Sequence, residues 1–301
     1  MNNPPWLEEP IATVARLGER LPHALLIQGP GGWGEERVAN AIALDLMGLA
    51  PEGKAREIAH PDLRWIAPDG GIIRIDVIRT LIDFLMQTPQ VAGRKIAVIE
   101  EADRMNVFAA NALLKSLEEP PPESFIALAT GTPERLPLTV RSRCQRVVIR
   151  PGSSEDVLAW LVESGVEADL AQAFMIEYGS APYAILAAAQ AGQQPLWPVL
   201  VEAVRSSAAA NDVAQVNREE PLSDVVERWL RVVHWLVRQW PMASAKFGLD
   251  FAAELLEVRQ AALLNTGLNR SMQLQRLALL WARLWRDLSM DPPRNIKLRK
   301  L

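Results

Sequence analysis

The chain has 301 residues, of which 49% are hydrophobic and 23% are charged, and its net charge is −4. This composition is typical of a globular protein of two or three domains and excludes an intrinsically disordered chain. The negative balance also means that the surface as a whole does not attract nucleic acid, so any contact with DNA has to be local or shared with partners.

Two classes of protein are excluded by the distribution of apolar residues and cysteine. Charged residues interrupt every apolar stretch well before the roughly 18 residues that a membrane-spanning helix needs. The start of the sequence, Met1 to Trp6, lacks the cationic and apolar regions of a signal peptide, so we expect a soluble, cytoplasmic protein. The single cysteine, Cys144, excludes an intramolecular disulfide and a zinc site built on several thiolates. His23 and His60 are isolated and are interpreted as structural residues, so no metal is expected.

The first half of the chain alternates apolar runs with amphipathic segments, which predicts an α/β domain. Helices are expected over residues 35–47 and 72–86, and a third one ends near Glu119, where three prolines follow. Because the strands are apolar throughout, we expect a parallel sheet with helices on both faces. The predicted strands, in chain order, are residues 24–28, 63–66, 95–99, 125–129 and 146–149.

A glycine-rich turn with the spacing of a phosphate-binding loop joins the first strand to the following helix: Gly29-Pro30-Gly31-Gly32-Trp33-Gly34-Glu35-Glu36. Glycines let such a loop point its N–H groups at a phosphate, and the helix N-terminus adds positive potential.

The two positions of this loop that act chemically are altered. Glu35 stands where a lysine would reach the β- and γ-phosphates, and Glu36 stands where a serine or threonine would bind magnesium. Replacing a cation by an anion removes an attraction and adds a repulsion, each about 4 kcal/mol at 4 Å in an intermediate dielectric. We therefore expect ATP to bind poorly or not at all, and both carboxylates to act as favourable acids in the first turn of the helix.

A second nucleotide motif, an apolar strand that ends in acidic residues, is present in outline after the third strand. Glu100 and Glu101 follow Ile99, and Asp103 lies close behind. Glu100 stands where aspartate is usual, and its additional methylene group would displace a magnesium ligand. Acidic residues after a strand are also common in solvated turns, so this motif has little specificity alone.

After residue 150 the alternation of strands and helices ends, and helical spacing takes over. Ser153 or Ser154 can cap the first helix of this part. Helical segments are expected to continue to Gln190, and residues 192–198 are predicted to be a linker.

The rest of the chain carries apolar faces at helical spacing, and most of the ten tryptophans lie in this half. At this spacing the tryptophans are interpreted as core residues and not as a binding platform. We therefore predict three domains, over residues 1–150, 151–195 and 196–301. The predicted faces are Trp229, Val233, Leu236 and Trp240 on one helix, and Leu274, Leu277, Trp281, Leu284 and Leu288 on another.

Several short runs of the first domain occur in the order of a known protein family. They closely resemble the clamp-loader ATPases of bacterial DNA polymerase III, which are AAA+ proteins. The resemblance covers roughly residues 20–150, and beyond residue 190 it depends on helical character alone. The matching runs are Glu101-Ala102-Asp103-Arg104-Met105-Asn106, Ala110-Asn111-Ala112-Leu113-Leu114-Lys115-Ser116-Leu117-Glu118-Glu119-Pro120-Pro121, Leu128-Ala129-Thr130, Leu136-Pro137 and Arg141-Ser142-Arg143-Cys144.

The resemblance implies a RecA-like parallel-sheet domain, a small helical lid and an all-α collar that builds a hetero-pentameric ring. The implied partners are a delta subunit, three gamma or tau subunits and, through the complex, a sliding clamp and primed DNA at the bacterial replisome. The implied role is loading of the clamp during DNA replication. The helix before Pro120 and the collar are expected to form the subunit interfaces.

The family's Ser-Arg-Cys motif, here Ser142-Arg143-Cys144, implies that Arg143 is an arginine finger for ATP held by the adjacent subunit. A guanidinium, with its permanent charge and several donors, suits the charge that develops on a transferring phosphoryl group. The alternative is that Arg143 is one solvated charge in a basic loop, and the flanking motifs favour the finger. Cys144 is expected to be a buried packing residue.

This sequence departs from the active members of the family at four positions that handle nucleotide. Besides Glu35 and Glu36, Gly131 replaces a polar sensor residue, and residues 179–182 lack the arginine of the lid motif. The joint loss points to a non-hydrolysing subunit without bound ATP and away from the gamma or tau type. Residues 49–59 contain no cysteine, so the zinc module of many relatives is also expected to be absent.

Two alternative functions remain at this point. An active ATPase of the same family would have to bind nucleotide in spite of Glu35, which a direct ATP titration would reveal. A non-replicative adaptor on a decayed phosphate-loop fold would not associate with gamma-type subunits, which a pull-down from purified components would reveal.

Overall fold

The computed structural model describes residues 3–206, 209–264 and 267–293. The chain forms two compact units, which divide after Ser153. The further division of the second unit into a lid and a collar stays a prediction.

A five-stranded parallel sheet forms the centre of the first unit. Its order is β2-β3-β4-β1-β5, so that β1 lies between β4 and β5. All residues of β3 and β4 are buried, as expected for strands covered on both faces. The predicted fold class, a parallel-sheet domain followed by a helical region, is confirmed. The strands are β1 (Ala24–Gln28), β2 (Leu63–Ile66), β3 (Lys95–Ile99), β4 (Ser124–Thr130) and β5 (Gln145–Val148).

Five α-helices surround this sheet. α3 and α4 pack together and share an apolar core with the strands, while α2 contacts β1, β3 and β4. The helix predicted over residues 72–86 begins only at Ile75, because Ile72 and Ile73 form isolated β-bridges. α1 was not predicted. The helices are α1 (Pro5–Ala15), α2 (Glu35–Leu46), α3 (Ile75–Leu85), α4 (Val107–Glu118) and α5 (Leu138–Arg141).

The described residues of the second unit contain α-helices and no strand. The linker predicted over residues 192–198 is wrong in its second half, because α9 begins at Leu196 and the indole of Trp197 is buried. The helices are α6 (Ser154–Glu163), α7 (Ala168–Glu177), α8 (Pro182–Gln190), α9 (Leu196–Arg205), α10 (Ala210–Gln215), α11 (Leu222–Val237), α12 (Met242–Leu264) and α13 (Arg270–Asp287).

Tryptophan side chains form the centre of the second unit's core. Trp281 makes edge-to-face contacts with Trp229 and Trp285 at centroid distances of 5.9 and 5.5 Å. Trp240, predicted on the same helical face as Trp229, instead lies after the end of α11 and contacts Trp285 from there. Within the described ranges, no helix combines the length and apolar character needed to cross a membrane.

Candidate functional site

The glycine-rich turn between β1 and α2 is closed around a carboxylate. Gly31, Gly32 and Gly34 have positive φ, which residues with a side chain adopt only at a cost. Glu35, the first residue of α2, is buried, and its Oε1 accepts a hydrogen bond from the Gly31 N–H at 3.0 Å. Its Oε2 accepts a second bond from the Gly34 N–H at 3.2 Å. The Glu35 carboxylate thus takes N–H groups of the kind that bind a phosphate in such a loop.

The end of β4 packs directly against this turn. A Cβ atom added to Gly131 would lie 2.6 Å from the Cα atom of Gly31. A Cβ atom added to Gly29 would lie 2.5 Å from Oε1 of Glu35. The turn therefore has no space for a side chain at position 131.

Glu36 and Glu100, the two carboxylates at the expected magnesium positions, interact with each other. Although Glu36 as a whole is exposed, partial burial of its carboxyl group raises its pKa to about 7, and the hydrogen bond that protonated Glu36 donates to Glu100 and the Glu100 charge act in the same direction. Glu100 Oε2 also accepts hydrogen bonds from Trp65 Nε1 at 2.9 Å and Arg56 Nη1 at 3.1 Å. Glu100 is thus held by Trp65 and Arg56, and its neighbour Glu36 has a raised pKa, whereas magnesium prefers ionised oxygen ligands.

The N-terminal helix α1 supports the turn from another side. Trp33, inside the turn, is buried, and its ring makes an edge-to-face contact with Trp6 at a centroid distance of 5.5 Å. The indole Nε1 of Trp6 donates a hydrogen bond to the carbonyl of Trp33 at 3.2 Å. The sequence pattern of the turn therefore includes an aromatic anchor as well as glycines.

The polar residues near the end of β4 are occupied with one another. The Thr130 hydroxyl donates to Oδ1 of Asp103 at 2.6 Å and accepts from the backbone N–H of Thr132. Glu101 adopts a positive φ of 45° and pairs with Arg104 at 3.2 Å on the surface. Glu101 is therefore turned toward a surface arginine.

Arg143 lies on the surface directly after α5, with its contacts outside the glycine-rich turn. Its Nη2 forms an ion pair with Oε1 of Glu118 at 2.6 Å. Its Nη1 donates to the carbonyl of Thr139 at 3.0 Å and to Oγ of Ser142 at 3.3 Å. The guanidinium is held by the ends of α4 and α5 and stays accessible to solvent.

The other residues of this loop differ in burial. Cys144 is buried, and burial raises the pKa of its thiol to about 11, so that the thiol stays protonated at neutral pH. Arg141 is partly buried, and its Nε has no hydrogen-bond partner among the described residues. Arg143 is therefore the exposed cation of the Ser-Arg-Cys motif, and Cys144 is a packing residue.

The two remaining departures from the family pattern have a local structural reason. Pro182 is buried and is the first residue of α8, a position that suits proline because its φ is fixed near the helical value and its missing N–H is not needed there. Residues 49–59 form turns and a short 3₁₀ helix at 55–57, and the Asn40 side chain fixes them. Its amide donates to the Gly53 carbonyl at 3.0 Å and accepts from the Ala55 N–H at 2.7 Å.

Sequence reasoning identified Glu35, Glu36, Glu100 and Arg143, and the structure brings the first three together around the turn. It missed the partners of these residues. Trp65, Arg56 and Glu118 lie 35, 44 and 25 positions from their partners, so no local spacing indicates the pairs. For Trp6 a signal existed, because a proline at the first helical position precedes apolar residues at helical spacing.

Comparison with known proteins places this unit in one family of replication proteins. The family model described as "DNA polymerase III, delta subunit" matches residues 13–153. The DNA polymerase III subunit delta' of Pseudomonas aeruginosa is 38% identical over 176 residues, which is 53% of this chain and 52% of that protein. The subunit delta' of Escherichia coli is 32% identical over 239 residues, which is 72% of this chain and 71% of that protein.

The matched lengths differ between these relatives, because this chain spans about half of the Pseudomonas protein and more than two thirds of the Escherichia protein. Among solved structures, a gamma subunit-related protein of DNA polymerase III from Thermotoga maritima has a TM-score of 0.58 at 21% identity. The match covers 91% of this chain and 99% of that one. At this identity the likeness concerns the fold alone.

Proposed function

Because this chain belongs to the DNA polymerase III subunit delta' family, we propose that it is a non-hydrolysing subunit of a clamp loader. It works in a hetero-pentameric ring with a delta subunit and three gamma or tau subunits in the bacterial cytoplasm. It binds no ATP of its own, and Arg143 completes the ATP site of a neighbouring subunit while the ring loads a sliding clamp on primed DNA.

The observation that carries the proposal is the Glu35 carboxylate inside the glycine-rich turn. It accepts hydrogen bonds from the Gly31 and Gly34 N–H groups, so a phosphate would have to displace an anion that is already bound. A phosphate would also lie close to the charge of Glu35, which is buried, and repulsion between anions is stronger in a buried site than in water. At the expected position of magnesium, the pKa of Glu36 is raised to about 7 by burial and by Glu100, which makes this carboxyl a weaker ligand for a cation.

The exposure of Arg143 supports its role toward a neighbouring subunit. Its Nη1 donates to Thr139 and Ser142, and its Nη2 forms the ion pair with Glu118. Its Nε–H has no partner among the described residues and is available to a phosphate outside the chain. A planar guanidinium in a helix-supported loop is suited to this contact.

A stripe of exposed apolar residues on α12 supports assembly with partners. Met242, Leu249, Leu256 and Leu263 are 90, 53, 47 and 62% exposed and follow one another at intervals of seven residues. Residues at this spacing lie on one side of a helix, and such a repeat is typical of a seam with a second helix. The collar helices of partner subunits are the proposed occupants.

The experiment that tests the finger is reconstitution of the complete complex with Arg143→Ala. An arginine finger acting in trans accelerates phosphoryl transfer by about 10³- to 10⁵-fold at its own site. We expect an intact complex whose clamp- and DNA-stimulated ATP turnover falls by about one third if three sites act independently, and by more if they are coupled. Arg146→Ala is the matched control, because Arg146 is an exposed arginine three positions away.

Two results would decide against the proposal. Unchanged turnover with Arg143→Ala in an intact complex would remove Arg143 from the mechanism. Saturable binding of Mg-ATP by the wild-type chain alone, measured by calorimetry at micromolar concentrations, would assign it to the active ATPases of the family.

A further inference from the structure

Arg143 forms an ion pair with Glu118 of the same chain. Glu118 is the last residue of α4, and Arg143 follows α5, which packs against α4. Oε1 of Glu118 lies 2.6 Å from Nη2 of Arg143, while the side chains are 49 and 36% exposed. The anion that neutralises the finger therefore belongs to the same chain and lies at the same surface.

A phosphate of a neighbouring subunit and the Glu118 carboxylate compete for the same guanidinium. Nη2 lies 2.6 Å from Oε1 of Glu118. A phosphate that accepts hydrogen bonds from Nη2 and Nε comes close to the Glu118 carboxylate, and the two anions repel each other. Full engagement of Arg143 thus favours a conformation in which Glu118 has moved away.

The strength of the pair suits an exchangeable contact. Ion pairs between exposed side chains contribute little, because water screens them and both side chains lose freedom. Nη1 keeps its bonds to the Thr139 carbonyl and the Ser142 hydroxyl, so the guanidinium stays in place when the Glu118 contact is lost. Glu118 can therefore leave without dismantling the loop.

We propose that Glu118 restrains the arginine finger. It pairs with Arg143 while the adjacent site lacks a well-placed γ-phosphate, and it releases Arg143 when the assembled ring brings the phosphate close. This inference rests on the proposed function, because it assigns to Glu118 a positioning role that acts only through Arg143. Its consequence is a lower ATP turnover in the unstimulated complex, where the neighbouring subunits are not yet aligned.

The experiment compares Glu118→Gln with wild type in the reconstituted complex, without and with clamp and primed DNA. Glutamine keeps the shape and removes the charge. We expect unstimulated ATP turnover to rise by about two- to fivefold, the range that corresponds to an exposed ion pair, while stimulated turnover stays unchanged. The difference should shrink between 50 and 500 mM salt, because salt screens the pair in the wild type.

The chain offers a matched control and an internal test of the route. Glu119 is the next residue, is exposed and forms no ion pair with a described residue, so Glu119→Gln should behave as wild type. Glu118→Gln combined with Arg143→Ala should have the same turnover as Arg143→Ala alone, because the guanidinium that Glu118 restrains is no longer present.

Each other outcome has a definite meaning. One such outcome is that Arg143→Ala lowers turnover while Glu118→Gln leaves the unstimulated rate unchanged or lowers both rates in parallel. In that case Glu118 does not restrain Arg143, but the role of Arg143 as an arginine finger is still supported. A rise in unstimulated turnover caused by Glu118→Gln that persists in the Arg143→Ala background also contradicts restraint of Arg143 by Glu118. If Arg143→Ala has no effect, the proposed function itself fails, and the inference fails with it.

Discussion

At the scale of single residues, the carboxylate at position 35 has two effects. It removes the cation that a nucleotide needs, and it satisfies two N–H groups of the glycine-rich turn from within the chain. Backbone donors that stay unpaired in a buried site cost free energy. Glu35 therefore stabilises the turn by hydrogen bonds made within the chain.

Glu36 leads to a prediction about pH. Its pKa in the folded chain is raised from 4.5 to about 7, chiefly by burial of the carboxyl group and further by Glu100. Between these two values the folded chain holds a proton that the unfolded chain has released, so the free energy of unfolding falls as pH rises through this window. Glu36→Gln cannot ionise, so we expect the variant to gain stability relative to wild type from pH 5 to 7.5 and then stay level.

The measurement is urea denaturation of the full chain at half-unit steps of pH, followed by circular dichroism. The size of the effect is below the full linkage value, because Glu36 is partly solvated. Glu52→Gln, a change at an exposed carboxylate outside the site, is the control and should run parallel to wild type. Parallel curves for Glu36→Gln and wild type would contradict the assigned pKa.

The residues of the site could be predicted from the sequence to the extent that a motif names them. The glycine spacing, Glu35, Glu36 and the Ser-Arg-Cys run are contiguous, so they are visible without a structure. The partner of Arg143 is not, because the pair with Glu118 depends on how the ends of α4 and α5 meet. The same is true of Asp62, which is buried and accepts three backbone N–H groups of residues 90–92.

At the scale of elements, apolar strands were predictable and irregular helix starts were not. All five strands lie within one residue of their predicted bounds, because runs such as Lys95–Ile99 are buried on both faces and flanked by turns. α1 was missed because Pro10 lies inside it, a position that normally excludes a helix. The start of α9 was predicted three residues too late because glycine, glutamine and proline are typical of a linker, whereas Pro195 in fact precedes the helix start.

A buried ion pair joins three helices of the second unit, which gives a prediction at this scale. Glu177 at the end of α7 pairs with Arg228 of α11, and neither side chain is more than 3% exposed. The other oxygen of Glu177 accepts the N–H groups of Leu196 and Trp197 at 2.7 and 3.1 Å, and so caps α9. Glu177→Ala leaves two N–H groups unpaired and leaves Arg228 with Glu220 as its remaining carboxylate partner among the described residues, so we expect a loss of about 3 kcal/mol in the free energy of unfolding.

The control is an ion pair of the same type on the surface. Glu254 and Arg276 join α12 to α13 at 2.9 Å, with both side chains more than 40% exposed. Glu254→Ala should cost at most about 1 kcal/mol. Urea denaturation monitored by tryptophan fluorescence measures both variants, since the core of this unit contains Trp229 and Trp281. Equal losses for the two variants would show that burial of Glu177 does not control its contribution.

At the scale of the whole molecule, the chain alone leaves part of its apolar surface uncovered. α12 buries one side against α11 and α13 and presents the stripe Met242, Leu249, Leu256 and Leu263 on another. Exposed apolar residues in single positions are common, but a repeat along four turns or more is a feature of interfaces. The sequence predicted that this region is helical, but only the structure shows which apolar residues are left outside the core.

We expect the stripe on α12 to be the surface that contacts the partner subunits. Leu256→Glu puts a charge at its centre, and burial of a leucine contributes about 1.5–3 kcal/mol, so we expect the affinity for gamma- or tau-type subunits to fall by at least about tenfold. The free energy of unfolding of the isolated chain should not change, because Leu256 is 47% exposed. Leu279→Glu is the control, since Leu279 is a leucine of α13 with 54% exposure outside the stripe. Sedimentation velocity of mixed subunits measures assembly: a complex of unchanged affinity with Leu256→Glu would exclude α12 as the contact, whereas loss with both variants would mean that the two helices form one continuous interface.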